Sequence, residues 1–338
     1  MANTIIITGA NGSLAIPTIA HLLQRLPDST LVLTVRDASD RDANTKYLRS
    51  TIAKHPKAHT SIRELDLSRL TAVHDFARSI VAEIAAGTLP RLSAIVCTVF
   101  YWNLVDPVQF TDDGYEKTMQ VNYLSHVALV LQLISSFQSH GGRIVLFTGD
   151  SHEPGKNALD KVPPAISSDP AQLDQLVNPG ADASNDALGH GMYRYANSKL
   201  ALVLFTHALN RRLQQNTELR NITAIVMNPG NLAHSRAMLV NTPYKLVFLR
   251  KFVLRPLLPL LKMTDPTARI AAAAAIDVAR LATNEAHPGE RGYFTLLKPD
   301  QGSEASRDEM TQEALWLKNV LWVGLTSKDL ILVRKSVA

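Results

Sequence analysis

The chain has 338 residues, of which 46% are hydrophobic and 19% charged, a balance that suits a globular protein with a large core and excludes disordered or collagen-like chains. Its net charge of +5 comes from scattered Lys and Arg, which suits an anionic cofactor but not nucleic acid, a partner that calls for clustered cations. The single cysteine, Cys97, cannot form an internal disulfide and fits a reducing compartment. Residues 1–10 lack the basic, apolar and cleavage regions of a secretory signal, so the expected location is cytoplasmic.

In chain order, Thr4–Thr8 reads as a buried strand ending in a glycine turn. A helix follows from about Leu14, with Pro17 suited to its first turn. Leu31–Val35 and Ile62–Leu67 read as the second and third strands, and Leu70–Ala86 carries a helical period. Ala94–Cys97 and Arg143–Thr148 are the fourth and fifth strands, with a helix over Tyr115–Phe137 between them. Tyr193–Leu213 is a further helix, and Thr223–Met227 a sixth strand stopped by Asn228-Pro229-Gly230. Pro266–Thr283 reads as a helix and Tyr293–Leu297 as a seventh strand. This alternation predicts an α/β protein: a doubly wound parallel sheet with helices on both faces, forming a single domain over 1–338. Ligands of such sheets bind at the carboxyl ends of the strands. The apolar run Tyr244–Lys262 is broken by Arg250, Lys251, Arg255, Pro256 and Pro259, so it is not a spanning helix, which needs about 20 mostly uncharged residues.

The turn Gly9-Ala10-Asn11-Gly12-Ser13-Leu14-Ala15 lies between the first strand and the first helix. Glycines there permit a tight turn, and the helix start offers N–H groups and a positive dipole end to a pyrophosphate. Arg36 directly follows the second strand, where a dinucleotide fold meets the adenosine ribose. An arginine there can hold a 2′-phosphate, which favours NADP over NAD, although Asp37 follows it. Asp66, ending the third strand, is a candidate for the adenine edge or for a helix N-cap. Tyr195 and Lys199 are four residues apart and so share one face of a helix. A free phenol, with a pKa near 10, is a poor acid–base group at neutral pH, and a neighbouring ammonium lowers that value. Tyr193 is a competing phenol without a lysine four residues on.

Taken together, the Gly9–Gly12 turn, Asp66, Asn122, Arg143-Ile144-Val145, Tyr195/Lys199 and Asn228-Pro229-Gly230 resemble the short-chain dehydrogenase/reductase family. The likeness is greatest to its retinol-dehydrogenase-like and fungal tailoring members, and it covers about Thr4 to Leu297. The resemblance implies a Rossmann-type fold with Gly9, Asn11, Gly12, Ser13, Leu14, Arg36 and Asp66 at the cofactor. It implies Tyr195 as the general acid/base, with Lys199 lowering its pKa and holding the nicotinamide ribose. Asn122 would support a water-linked proton relay, and Pro229, Gly230 and Leu232 would receive the nicotinamide amide. The reaction implied is hydride transfer between the nicotinamide of NADP and a carbonyl or alcohol carbon.

Three departures from the family pattern stand out. The turn lacks a glycine two residues after Gly12, a spacing that leans towards extended members such as epimerases. The usual Asn-Asn-Ala-Gly is replaced by Cys97-Thr98-Val99-Phe100, and Phe100-Tyr101-Trp102 could line a pocket or pack the core. Gly149 stands where the family has its catalytic serine, leaving Thr148 or Ser151, with Ser151 slightly preferred, to supply the hydroxyl. Residues 153–191 read as an inserted loop over the active site, and 231–264 as a substrate lid whose apolar part implies a greasy substrate. Basic and apolar residues interleave there, so a membrane-surface contact is open, with a buried lid or dimer face preferred. Residues 304–338 form a C-terminal tail whose apolar part, Val320–Val333, covers either the core or a partner.

The expected function is thus an NADP-dependent oxidoreductase acting on a hydrophobic ketone or secondary alcohol, by resemblance a polyketide or terpenoid intermediate of secondary metabolism. A homodimer or homotetramer is left open. Two alternatives remain: a cofactor-binding regulator or scaffold with impaired catalysis, and an epimerase or dehydratase. No metal is assigned, since Pro56 separates His55 from His59 and no cluster has metal-ligand partners. His152 and His234 are read as polar loop residues in preference to pocket-lining ones, and the acceptor pattern Asn221-Ile222-Thr223 is discounted because it leads into a buried strand.

Overall fold

The computed structural model describes residues 3–157, 159–232, 235–257, 259, 263, 265–326 and 332. His234 and much of the apolar tail beyond Thr326 lie outside the described residues. The first half alternates β1 (Thr4–Thr8), α1 (Ala15–Arg25), β2 (Thr30–Val35), α2 (Ala43–Ile52), β3 (His59–Glu64), α3 (Leu70–Ala85) and β4 (Leu92–Cys97). There follow α4 (Lys117–Met119), α5 (Ser125–Leu133), β5 (Gly142–Phe147), α6 (Pro170–Val177), α7 (Ala187–Gln215) and β6 (Ile222–Asn228). The chain continues through β7 (Asn231–Leu232), α8 (Tyr244–Leu249), β8 (Ala268–Arg269), α9 (Ala271–Ala282), β9 (Gly292–Thr295) and β10 (Lys298–Pro299). It then forms α10 (Glu304–Arg307) and α11 (Glu309–Trp322).

The main sheet has eight strands in the order β10-β9-β6-β5-β4-β1-β2-β3. All pairings in it are parallel except the β9–β10 hairpin. β1 is buried along its whole length and serves two cores, Ile6 on one face of the sheet and Ile5 and Ile7 on the other. Coverage on both faces explains why the strand is a continuous apolar run. The strand order reverses between β1 and β4, which opens a crevice at their carboxyl ends. There Thr98 Oγ1 donates to the Thr8 carbonyl and ties the two loops together.

Several elements differ from the pattern reading. The third strand is His59–Glu64 and not Ile62–Leu67, because ladder pairing with Thr30–Val35 sets its register. Leu65 and Leu67, which drew the strand too far along, are buried beyond its end. The sequence reading lacked α2, which Asp42 caps by accepting from the N–H groups of Asn44 and Thr45, and α6 within the 153–191 segment. The helix expected over Tyr115–Phe137 is broken by a π-helical turn at Gln120–Leu124 and closes in a 3₁₀ turn at Ile134–Ser136. The helix expected from Pro266 starts only at Ala271, since Ala268–Arg269 pairs with β7. Among the described residues no helix is long and apolar enough to cross a membrane.

For its described part, the C-terminal tail covers the core. Trp316 stacks on Phe205 of α7, with ring centroids 5.8 Å apart and planes 10° from parallel. The Arg212 guanidinium lies over the indole, 4.1 Å from the ring centroid. Trp322 and Val323 enter the same core. Trp316→Ala should therefore cost about 3–5 kcal/mol in urea denaturation. A loss below about 1 kcal/mol would show that α11 is not part of the core.

Candidate active site

The chain leaves β1 through Gly9, whose φ of +62° suits glycine, and a Cβ there would lie 2.6 Å from Val99 Cγ2. Gly12 N–H closes the turn on the Gly9 carbonyl at 2.8 Å. The N–H groups of Ser13 and Leu14 meet no acceptor among the described residues, so an anion can take them at the start of α1. Asn11 Nδ2 donates to Thr45 Oγ1 and the Asp42 carboxylate, and Thr45 in turn donates to the Asp37 carbonyl. These bonds fix the phosphate turn against the loop after β2. In that loop Asp37 is held by Ser39, whose hydrogen bonding keeps its carboxyl below the usual range. Arg36 is exposed beside it and has no hydrogen bond or ion pair among the described residues. Asp66 lies just past β3, where it accepts from the Ser68 N–H and hydroxyl. It caps this turn and not α3, whose Leu70 N–H is taken by Asp113. These residues fit a dinucleotide: unpaired N–H groups for the pyrophosphate, and an unengaged guanidinium one loop away.

α7 brings Tyr195 and Lys199 to the carboxyl edge of the sheet. Lys199 Nζ lies 5.5 Å from the Tyr195 ring centroid and 5.7 Å from that of Phe100. The ammonium donates to the Phe147 carbonyl at 3.1 Å, and burial pulls its pKa down to about 7. Burial and the Asp150 carboxylate together push the Tyr195 phenol up. Asn122, buried in the π turn, accepts from the Tyr101 N–H at 2.6 Å and donates to the Tyr101 carbonyl and the Ser198 hydroxyl, each at 2.9 Å. Ser198 donates onward to the Tyr195 carbonyl at 2.7 Å. The Asn122 carbonyl meets His126 Nδ1 at 3.1 Å, and His126 Nε2 meets Thr8 Oγ1 at 3.2 Å. Burial lowers the His126 pKa to about 4, so the imidazole is neutral, donating from Nδ1 and accepting at Nε2.

The region after β5 separates the two hydroxyls considered in place of the missing serine. Thr148 Oγ1 donates to the Lys199 carbonyl and is already engaged. Gly149 has open space where a Cβ would stand. Ser151 is buried, and its Oγ has no partner among the described residues. Asp150 accepts from Asn228 Nδ2. His152 is buried against Tyr293, with ring centroids 4.8 Å apart. Gly230, with φ +85°, passes so close to the Thr267 carbonyl that a Cβ would sit 2.4 Å from it. Its N–H is held by the Asn228 side chain, and the chain then runs through Asn231 and Leu232 as β7.

Phe100 and Trp102 form a wall beside Tyr195, with ring centroids 6.1 and 5.4 Å from it. Trp102, Leu104 and Met192 make a small apolar cluster with Tyr195. Leu159 and Leu188 join it from the 153–191 segment and Met238 from the segment after β7. The aromatic loop thus packs against Tyr195. Among the described residues no group of His, Cys, Asp or Glu could hold a metal ion.

Comparison with known proteins agrees with this geometry. The chain is 30% identical to the short-chain dehydrogenase iccH of Talaromyces variabilis over 97% of its own length and 98% of that protein. The chain belongs to the short-chain dehydrogenases. The AcuH dehydrogenase domain matches residues 234–332, and 27% of the chain is 49% identical to 92% of the dehydrogenase acuH of Aspergillus aculeatus. A Sinorhizobium meliloti dehydrogenase/reductase shares the fold with TM-score 0.58 and 15% identity, over 90% of this chain and 95% of that one. A blue fluorescent protein from a metagenomic library, solved with NADPH, gives 0.56 at 18% identity over 86% and 95%. This short-chain dehydrogenase is therefore an oxidoreductase of the NAD(P)-dependent class with a Rossmann fold.

Two participants escaped the sequence reading of this dehydrogenase. Ser198 was hidden inside Tyr195-Ala196-Asn197-Ser198-Lys199, where only the phenol and the lysine have evident chemistry. His126 stands four residues after Asn122, a spacing that puts both on one helix face and could have flagged it.

The buried Lys199 makes a prediction about stability. An unfolded lysine titrates near its ordinary value, so between about pH 7 and pH 10 the unfolded chain binds more protons and stability rises with pH. The cost of burying the charge is full below pH 7 and fades above it. Lys199→Met should stabilise the protein on the order of 2–4 kcal/mol at pH 7 in urea titrations, with the gain shrinking by about pH 9.5. A gain independent of pH would show that the ammonium is not desolvated.

Proposed function

We propose that the chain works in the cytoplasm as an NADP-dependent reductase or dehydrogenase that interconverts a ketone and a secondary alcohol on a hydrophobic small molecule. The observation that carries this reading is the Tyr195 phenol beside the buried Lys199 ammonium, walled by Phe100 and Trp102. When bound, the nicotinamide supplies or accepts the hydride. Tyr195 Oη gives its proton to the substrate oxygen in reduction and takes it back in oxidation. In its charged form Lys199 would oppose the rise that burial and Asp150 impose on the phenol, and it would hold the nicotinamide ribose. Asn122 fixes the aromatic loop and, through Ser198, the turn of α7 that carries Tyr195. Thr148 orients the Lys199 backbone, which leaves the unpartnered Ser151 hydroxyl for the substrate oxygen.

The pyrophosphate would lie on the Gly9–Leu14 turn. Arg36 would read the 2′-phosphate, a preference supported by Asp37 being engaged with Ser39. Pro229, Gly230 and Leu232 would receive the nicotinamide amide, and Asp66 the adenine edge. We read the chain as one domain in which 153–191 and 231–264 cover the substrate. Leu159, Leu188 and Met238 support that reading. The fungal relatives favour an intermediate of secondary metabolism, polyketide or terpenoid, as the substrate class.

A carbonyl panel with NADPH tests the reading. Tyr195→Phe should lower kcat at least about a hundredfold while NADPH binding survives; unchanged turnover removes Tyr195 from the reaction. Arg36→Ala should weaken NADPH binding about ten- to a hundredfold and leave NADH binding alone, as followed by fluorescence titration. Equal losses for both cofactors would mean that Arg36 does not meet the 2′-phosphate. The open space at Gly149 is the one observation that favours a cofactor-binding protein without turnover. Steady NADPH consumption with any ketone in the panel rejects that alternative.

A further inference from the structure

The segment after β7 carries its apolar residues outward. None of the side chains of α8 is buried. Tyr244, Phe248 and Phe252 form a ladder at helical spacing, with successive ring centroids 6.4 and 4.9 Å apart. They are 79%, 49% and 57% exposed. The π-helical turn Arg250–Leu254 continues the helix, and Val253, Leu254 and Leu257 extend the apolar surface beyond the ladder. A surface of this kind on a monomer marks an interaction site.

One residue fixes which side faces the protein. The Arg250 side chain turns inward and donates to the Leu232 carbonyl at 2.6 Å, so it stitches the helix to β7. Lys251 lies over the Phe252 ring, 5.3 Å from its centroid, and Lys245 is exposed beside Tyr244. Residues 244–257 hold Lys245, Arg250, Lys251 and Arg255, and no acidic residue occurs anywhere from Leu219 to Thr264.

We propose that Tyr244–Leu257 is a docking surface for an anionic lipid bilayer. The aromatic ladder would enter the boundary between headgroups and acyl chains, while the lysines extend their stems and leave their ammonium groups among the phosphates. Charge complementarity selects this occupant. A two-fold contact between copies would set each basic face against itself, whereas an anionic leaflet attracts it. The depth implied is interfacial, in keeping with the absence of a spanning helix among the described residues. Met238 reaches the apolar cluster at Tyr195 from the same segment, so the bilayer would stand beside the route by which a greasy molecule enters.

The test is flotation of the full chain with vesicles of phosphatidylcholine alone and of phosphatidylcholine with about 30% phosphatidylserine. The expected result is capture by the anionic vesicles and not by the neutral ones. Capture should weaken when salt shortens the Debye length from about 10 Å to a few ångströms. Phe248→Ser with Phe252→Ser should lower the bound fraction about tenfold or more without moving the melting temperature, since both rings are exposed in the free protein. Lys245→Glu with Lys251→Glu should do the same. The proposal is overturned if wild type leaves the anionic vesicles unbound, or if both double variants bind as well as wild type. It is equally overturned if light scattering finds a dimer that the phenylalanine variant splits while vesicles capture nothing, because a second copy is then the occupant.

Discussion

The carboxamide of Asn122 bonds both the N–H and the carbonyl of Tyr101 and, with its remaining donor, the Ser198 hydroxyl. Through those three bonds one buried side chain joins the π turn before α5, the aromatic loop after β4 and the middle of α7. Each bond fixes something the site needs. The Tyr101 bonds set the positions of Phe100 and Trp102, the rings that flank Tyr195. The Ser198 bond fixes the turn of α7 that presents Tyr195 and Lys199. The Asn122 carbonyl is itself held by His126, whose far nitrogen reaches Thr8 at the end of β1. The chain of contacts therefore runs from α7 to β1 and the glycine turn that follows it. A buried network of this kind favours one arrangement because each unsatisfied member would carry its full desolvation cost.

That rigidity matters because the site holds groups under electrostatic stress. The Lys199 ammonium is buried with one backbone acceptor among the described residues, and burial and the charge of Asp150 both raise the Tyr195 phenol. Neither group gains stability from its position; packing elsewhere supplies it. α7 spans 29 residues, and its buried side chains make it the central helix of one core, closed from outside by Trp316 and α11. The far flank of α7 is secured differently. Arg194 reaches Asp182 of the 153–191 segment and lies 3.7 Å from the buried Glu116. A buried ion pair adds little net stability, but it penalises any arrangement that separates its partners. Here it pins the 153–191 segment to the helix that carries Tyr195 and Lys199.

Legibility in the sequence followed periodicity and local chemistry. β1, the glycine turn, the Tyr195/Lys199 spacing and Asn228-Pro229-Gly230 are local features, and each stands where the pattern put it. α2 was invisible because it buries only Thr45, Leu48 and Thr51, too few apolar positions to set a helical period. β3 was misplaced because it is an edge strand of mostly polar, partly exposed residues, positioned by its partner and not by its own pattern. At the site, the phenol and the lysine declared themselves, but the choice between Thr148 and Ser151 did not. Two hydroxyls three residues apart look alike in sequence, and only the fold shows one bonded to the Lys199 carbonyl and the other without a partner among the described residues.

The segment after β7 connects the two ends of the crevice. Its Arg236 donates from its side chain to the Asn11 carbonyl and from its backbone N–H to Ser13 Oγ, directly over the phosphate turn. A few residues on, the Val240 carbonyl accepts from Trp102 Nε1, and Asn241 exchanges bonds with the backbone of Trp102 and Leu104. The same stretch therefore touches the loop that would hold the pyrophosphate and the aromatic wall beside Tyr195. An anion on the turn would compete for and reorganise the Arg236 contacts, since a guanidinium binds a phosphate more strongly than a backbone carbonyl. Any shift there is passed along a short, hydrogen-bonded stretch to Trp102. The glycine turn after β1 and the aromatic wall beside Tyr195 are thus joined by one short hydrogen-bonded stretch, Arg236 to Asn241.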